Sequence, residues 1–159
     1  MLEKLRKAMK AADIDMLLIP SADPHGSEYP EEYFKARKHF SGFTGSAGTL
    51  LIWQGGAGLW TDGRYFIQAE RQLEGSGIDL FKMREPGVPT VNEFIAENIR
   101  GGVLGADLRT ISASEGMELE KGGAILKDCR SLIDGCWEGR PELSREPAYV
   151  LPMELAGVS

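Results

Sequence analysis

Short apolar runs alternate with stretches of helical period along most of this chain, and glycines mark the joins. That alternation restricts the fold more than any other feature. Met16-Leu17-Leu18-Ile19, closed by Pro20, reads as a buried strand. Thr49-Leu50-Leu51-Ile52-Trp53 and Ala57-Gly58-Leu59-Trp60, joined through Gln54-Gly55-Gly56, read as an antiparallel hairpin. Residues 78–83, 103–106 and 124–127 supply three more short apolar runs. Helical stripes fill the gaps. Leu2, Leu5, Met9 and Ala12 form the first. Tyr33, Ala36 and Phe40 form the second, with Pro30 in its first turn, Lys35, Arg37, Lys38 and His39 late, and Gly42 as its stop. Phe66, Ala69 and Leu73 follow, with Asp62 placed to cap that helix. Two capping boxes, Thr90 with Glu93 and Ser112 with Glu115, open further helices. A last helical turn holds Leu132, Ile133, Cys136 and Trp137. Strands alternating with helices after a hairpin predict an α/β layer fold, with a mixed, mainly parallel sheet of about five to six strands flanked by helices.

With 159 residues and 42% hydrophobic content, one domain with a full core is expected. The twenty glycines show no fixed period, which sets aside solenoids and collagen-like repeats. A net charge of −6 argues against nucleic acid as a partner, because phosphate contacts need clustered Lys and Arg. No apolar run approaches the length of a membrane span, and the first residues lack the apolar core of a secretory signal. Two cysteines, Cys129 and Cys136, are too few for a disulfide framework, so reduced thiols and a cytoplasmic location are expected. The pattern changes at Arg140-Pro141. Residues 1–140 read as one domain, and residues 141–159, with two prolines before an apolar tail, as an extended linker and the start of a second domain.

Candidate chemistry is sparse. His25 and His39 stand fourteen positions apart and no Cys-x-x-Cys pair exists, so no transition-metal site is expected in this chain. Ser46, in Gly45-Ser46-Ala47-Gly48, follows a helix and precedes a strand, the reverse of a nucleophile elbow. Gly42, Gly45 and Gly48 also run in the wrong direction for a phosphate cradle and read as turns and close chain approaches. The strongest candidate is Trp60-Thr61-Asp62-Gly63-Arg64-Tyr65-Phe66, where a strand ends and a helix begins. An arginine there opposes the helix dipole, so helix stability does not explain it. Two readings stay open: a guanidinium offered to a carboxylate or peptide carbonyl, and a structural Asp62–Arg64 pair.

The same residues carry a resemblance. Ser41-Gly42-Phe43-Thr44-Gly45-Ser46-Ala47-Gly48-Thr49 and Leu59-Trp60-Thr61-Asp62-Gly63-Arg64-Tyr65-Phe66-Ile67-Gln68-Ala69 resemble the N-terminal domain of Xaa-Pro aminopeptidases. Ile19-Pro20-Ser21-Ala22-Asp23-Pro24-His25, Ser27-Glu28-Tyr29, Phe81-Lys82-Met83 and Leu132-Ile133-Asp134-Gly135-Cys136-Trp137 fit the same family, in its three-domain cytosolic branch. The resemblance implies a creatinase-like, ribonuclease-H-like N-terminal fold. It implies a parent hydrolase that removes the N-terminal residue when proline is second, using two divalent metal ions, usually manganese, held in a later catalytic domain. On that basis this domain walls the active-site cleft, contacts its own later domains, aids homodimer assembly and is inert alone. Arg64 is implied as a substrate contact, with Tyr65 and His25 as further candidates. Prolidase- and creatinase-type hydrolases share the fold and are rival readings, as is a stand-alone binding or dimerisation module.

Overall fold

Six strands form one mixed sheet in the computed structural model, which describes residues 1–157. In chain order they are β1 (Met16–Pro20), β2 (Thr49–Trp53), β3 (Gly56–Thr61), β4 (Asp79–Lys82), β5 (Val103–Ala106) and β6 (Ile125–Asp128). The sheet order is β4-β3-β2-β1-β5-β6. β2 runs antiparallel to both β1 and β3, while β3–β4, β1–β5 and β5–β6 pair in parallel. Only β2 therefore opposes the common direction, and the predicted hairpin is the β2–β3 pair. The carboxyl ends of the other five strands open on a single edge of the sheet.

Strand alternation sorts the core into two layers. Leu17, Ile19, Leu50, Ile52 and Leu59 face one way and Met16, Leu18, Leu51, Trp60 and Leu104 the other. The first layer packs against Leu5 and Met9 of α1 (Leu2–Ala11), Phe40 of α2 (Ala36–Ser41), Leu73 of α3 (Phe66–Leu73) and Ile133 of α6 (Arg130–Cys136). The second packs against Ile95 and Ile99 of α4 (Val91–Ile99) and Leu119 of α5 (Ala113–Lys121). Trp60 is fully buried, stacks on Phe81 with ring centroids 3.9 Å apart and donates its indole N–H to the Pro89 carbonyl at 2.8 Å. Gly58 leaves room for that stack, because a Cβ there would lie 2.6 Å from the Phe81 ring. Both capping boxes form as the sequence predicts, Thr90 with Glu93 and Ser112 with Glu115.

Two expectations need correction. The second helix is not continuous from Pro30. A 3-10 turn, Glu32–Phe34, ends at Lys35, and α2 then runs to Ser41. The break seats Arg37 in the interior rather than among the solvated charges at a helix end. Asp62 does not cap α3 either. Its carboxylate caps a tight turn, and α3 begins only at Phe66.

Past α6 the chain is tied back to the domain. Arg140 donates from Nε and Nη2 to the Tyr33 carbonyl at 2.9 and 2.7 Å, and its guanidinium lies 3.7 Å from the Tyr33 ring centroid. Residues 141–152 have no regular structure, and a single turn, α7 (Met153–Ala156), follows. Tyr149 and Val150 are 82% and 94% exposed. Cys129 and Cys136 are both buried free thiols, and burial pushes both up from the ordinary thiol range. Among the described residues no helix is long and apolar enough to cross a membrane.

Candidate functional site

The loops at the carboxyl ends of the strands surround a cleft of about 750 Å³, lined in part by Ser21, Glu28, Ser46, Arg64, Arg109 and Ser112. Open α/β sheets place ligands at this edge. A recurring local device closes three of the strands that end at this edge, and two of its arginines, Arg64 and Arg109, line the cleft. At the ends of β3, β5 and β6 the chain reads Asp-x-Arg: Asp62 with Arg64, Asp107 with Arg109, Asp128 with Arg130. In each, the carboxylate accepts the backbone N–H two residues on and an Nη2 donor of the same arginine. The aspartate closes the turn and the guanidinium neutralises it.

Arg64 carries the most chemistry. Asp62 Oδ1 accepts its Nε at 2.9 Å, and Asp62 Oδ2 accepts its Nη2 at 2.8 Å. That paired hydrogen bonding holds the Asp62 carboxyl below the ordinary carboxylate range and raises Arg64 above the ordinary guanidinium value. Of the two readings of this arginine, the Asp62–Arg64 pair is the one the structure contains. That pair uses only one edge of the guanidinium. Among the described residues Nη1 donates to nothing, and the side chain is 64% exposed at the cleft wall. A planar cation with an unspent donor suits a peptide carbonyl or a carboxylate.

Tyr65 does not line the cleft. Its ring lies beside the Arg64 guanidinium, and its hydroxyl sits 2.7 Å from Ser46 Oγ. His25 does not line the cleft either. It is 83% exposed, and its backbone N–H is tied to Asp23 Oδ1 at 2.9 Å. The structure thus brings Arg64 and Tyr65 together, and it places His25 in solvent between Pro24 and Gly26, which do line the cleft.

Arg37 and Arg109 are the residues the sequence reading passed over. Arg37 is 6% exposed and donates from Nε to Ser21 Oγ at 2.7 Å, from Nη1 to the Phe43 carbonyl at 2.7 Å and from Nη2 to the Gly45 carbonyl. It pins the glycine-rich loop, residues 42–48, from inside. Burial lowers its guanidinium to about 10. On the other side Gln68 and Gln72 of α3 donate to Thr44 Oγ1 at 2.8 and 2.9 Å. The glycines serve this packing. Gly42 takes φ +73, and at Gly45 a Cβ would meet the Phe43 ring at 2.4 Å. A sign of Arg37 was present: Tyr33, Ala36, Arg37 and Phe40 follow helical spacing, which puts a charge in an apolar stripe. Arg109 lines the cleft but is held by Asp107 Oδ1 and Oδ2 at 2.9 and 2.7 Å and by Tyr33 Oη at 3.2 Å.

Residues 1–136 match the creatinase/prolidase N-terminal domain family. The chain belongs to that family. A probable Xaa-Pro aminopeptidase P of Coccidioides posadasii is 42% identical over 99% of this creatinase/prolidase N-terminal domain chain, which covers 27% of that relative. Aminopeptidase P2 of Arabidopsis thaliana is 49% identical over 91% of the chain, which covers 21% of it. Among solved structures, an X-prolyl aminopeptidase of Caenorhabditis elegans, described as a cytosolic enzyme with a di-nuclear active site, superposes with a TM-score of 0.83 at 32% identity, over 99% of this chain and 29% of that one. A creatinase/prolidase-like N-terminal domain from Corynebacterium diphtheriae, at 23% identity and a TM-score of 0.59, shares the fold. The chain spans about a quarter of the length of the aminopeptidase relatives it matches. In this domain, among the described residues, no three His, Cys, Asp or Glu side chains come together to hold a metal ion, so the residues present do not fit a di-nuclear centre.

Proposed function

We propose that this domain is the cleft-walling N-terminal part of a metal-dependent aminopeptidase that removes the residue ahead of a proline at position two. The observation that carries the reading is the unspent Nη1 of Arg64 at the cleft wall, in a domain whose relatives include Xaa-Pro aminopeptidases. In this reading Arg64 meets a carbonyl or carboxylate of the peptide. Residues 1–140 form the domain, and residues 141–159 lead into a second one. The two metal ions, manganese by family resemblance, belong to a later catalytic domain. The whole protein works in the cytoplasm as a homodimer. This chain alone is inert.

The test is Arg64→Ala in the complete protein. A hydrogen bond from a charged donor contributes about 1.5–3 kcal/mol, so kcat/KM on a peptide with proline second should fall roughly tenfold to a hundredfold, with the domain still folded. Unchanged catalytic efficiency would remove Arg64 from substrate contact.

A further inference from the structure

We propose that Tyr65 is a positioning residue for Arg64, locked in place by the hydroxyl of Ser46. The inference rests on the reading of Arg64 as a substrate contact and adds how its free donor is aimed.

Asp62 holds the Nε and Nη2 edge of the guanidinium, but an exposed ion pair alone fixes a long side chain weakly. The second constraint is the Tyr65 ring, whose centroid lies 5.2 Å from the Arg64 guanidinium carbon. That ring is itself held at two points. Its hydroxyl is 2.7 Å from Ser46 Oγ, and it meets the fully buried Phe43 ring edge-on, with centroids 5.9 Å apart and planes at 84°. Gly45 gives the ring its space, since a Cβ there would lie 2.8 Å from the Tyr65 ring. Arg37 anchors the carbonyls of Phe43 and Gly45 on either side of Thr44. A continuous path thus runs from the core to the exposed guanidinium: Arg37, the glycine-rich loop, Ser46, Tyr65, Arg64. Tyr65 is not among the residues lining the cleft, whereas Arg64 and Ser46 on either side of it are.

Tyr65→Phe and Ser46→Ala each delete one hydroxyl and add no atoms. Both are measured in the complete protein, with Arg64 present and in the Arg64→Ala background. In parallel, the ¹⁵N heteronuclear NOE of the Arg64 Nε–Hε group is measured in residues 1–159, where no catalytic assay is needed. Each variant is expected to lower kcat/KM about three- to tenfold, mainly through KM, with Arg64 present, and less than about twofold without it. The Arg64 NOE should drop, while that of Arg109, which does not touch Tyr65, stays constant. An unchanged Arg64 NOE, or an equal activity loss in both backgrounds, overturns the proposal. If Arg64→Ala leaves turnover intact while Tyr65→Phe still loosens the Arg64 signal, the positioning stands and the substrate role of Arg64 falls.

Discussion

Replacing Arg37 with methionine tests how the glycine-rich loop is held. Methionine keeps most of the buried stem and removes all three donors. The carbonyls of Phe43 and Gly45, both in buried residues, lose their guanidinium partner. A buried acceptor left unsatisfied costs about 1–3 kcal/mol, so the two together give about 2–6 kcal/mol. Ser21 Oγ adds little, because it keeps its own bond to the Gly48 carbonyl at 2.8 Å. Against this stands the desolvation of the cation, visible in its lowered value of about 10, which the substitution relieves. The net loss is therefore expected in the lower half of the range, about 2–3 kcal/mol, or a fall in Tm of roughly 4–12 °C for a chain of this size. Equilibrium urea unfolding of residues 1–159, followed by tryptophan fluorescence, measures it. A loss below about 0.5 kcal/mol with an unchanged m-value would show that the carbonyl bonds are not what fixes the loop.

Other expected outcomes follow from single contacts. Gly58→Ala forces a Cβ to within 2.6 Å of the Phe81 ring and 2.8 Å of the Trp60 ring, and should destabilise by about 1–3 kcal/mol in the same assay. Thr90→Ala removes the acceptor for the Glu93 amide and should cost about 1 kcal/mol. His39, stacked on Trp137 with centroids 4.4 Å apart, is held by burial below its ordinary value near 6.5. The unfolded chain therefore takes up the proton first. The contribution of His39 is full above about pH 6.5 and is lost as pH falls from there toward the lowered native value. Urea titrations at pH 7.5 and 5.5 should show this loss in the native sequence and a smaller one in His39→Phe. An equal loss in both would remove His39 as its source.

The layer order was legible in the sequence because it depends on local pattern. Each strand was visible as an apolar run, and the two capping boxes marked α4 and α5 within a residue. What escaped was set by long-range contact. The order β4-β3-β2-β1-β5-β6 comes from how the helices cover two faces, and no run of residues encodes it locally. Arg37 was grouped with Lys35, Lys38 and His39 as a helix-end charge, yet it is spent on the loop beyond that helix. Asp62 and Arg64 were both singled out, but Asp62 closes a turn instead of opening a helix, and that turn leaves Nη1 of Arg64 unspent. Tyr65 entered through family resemblance. Its bond to Ser46 spans nineteen positions and leaves no mark in either motif alone.

The central claim is that this domain serves a peptidase whose chemistry lies elsewhere in a longer chain. The most direct test compares, at equal molar concentration and with manganese present, the product of the complete reading frame and residues 1–159, measuring release of the first residue from a peptide with proline second. The account predicts turnover by the complete protein and none by the isolated domain. Turnover by the isolated domain in proportion to its concentration, or none by the complete protein, would contradict it.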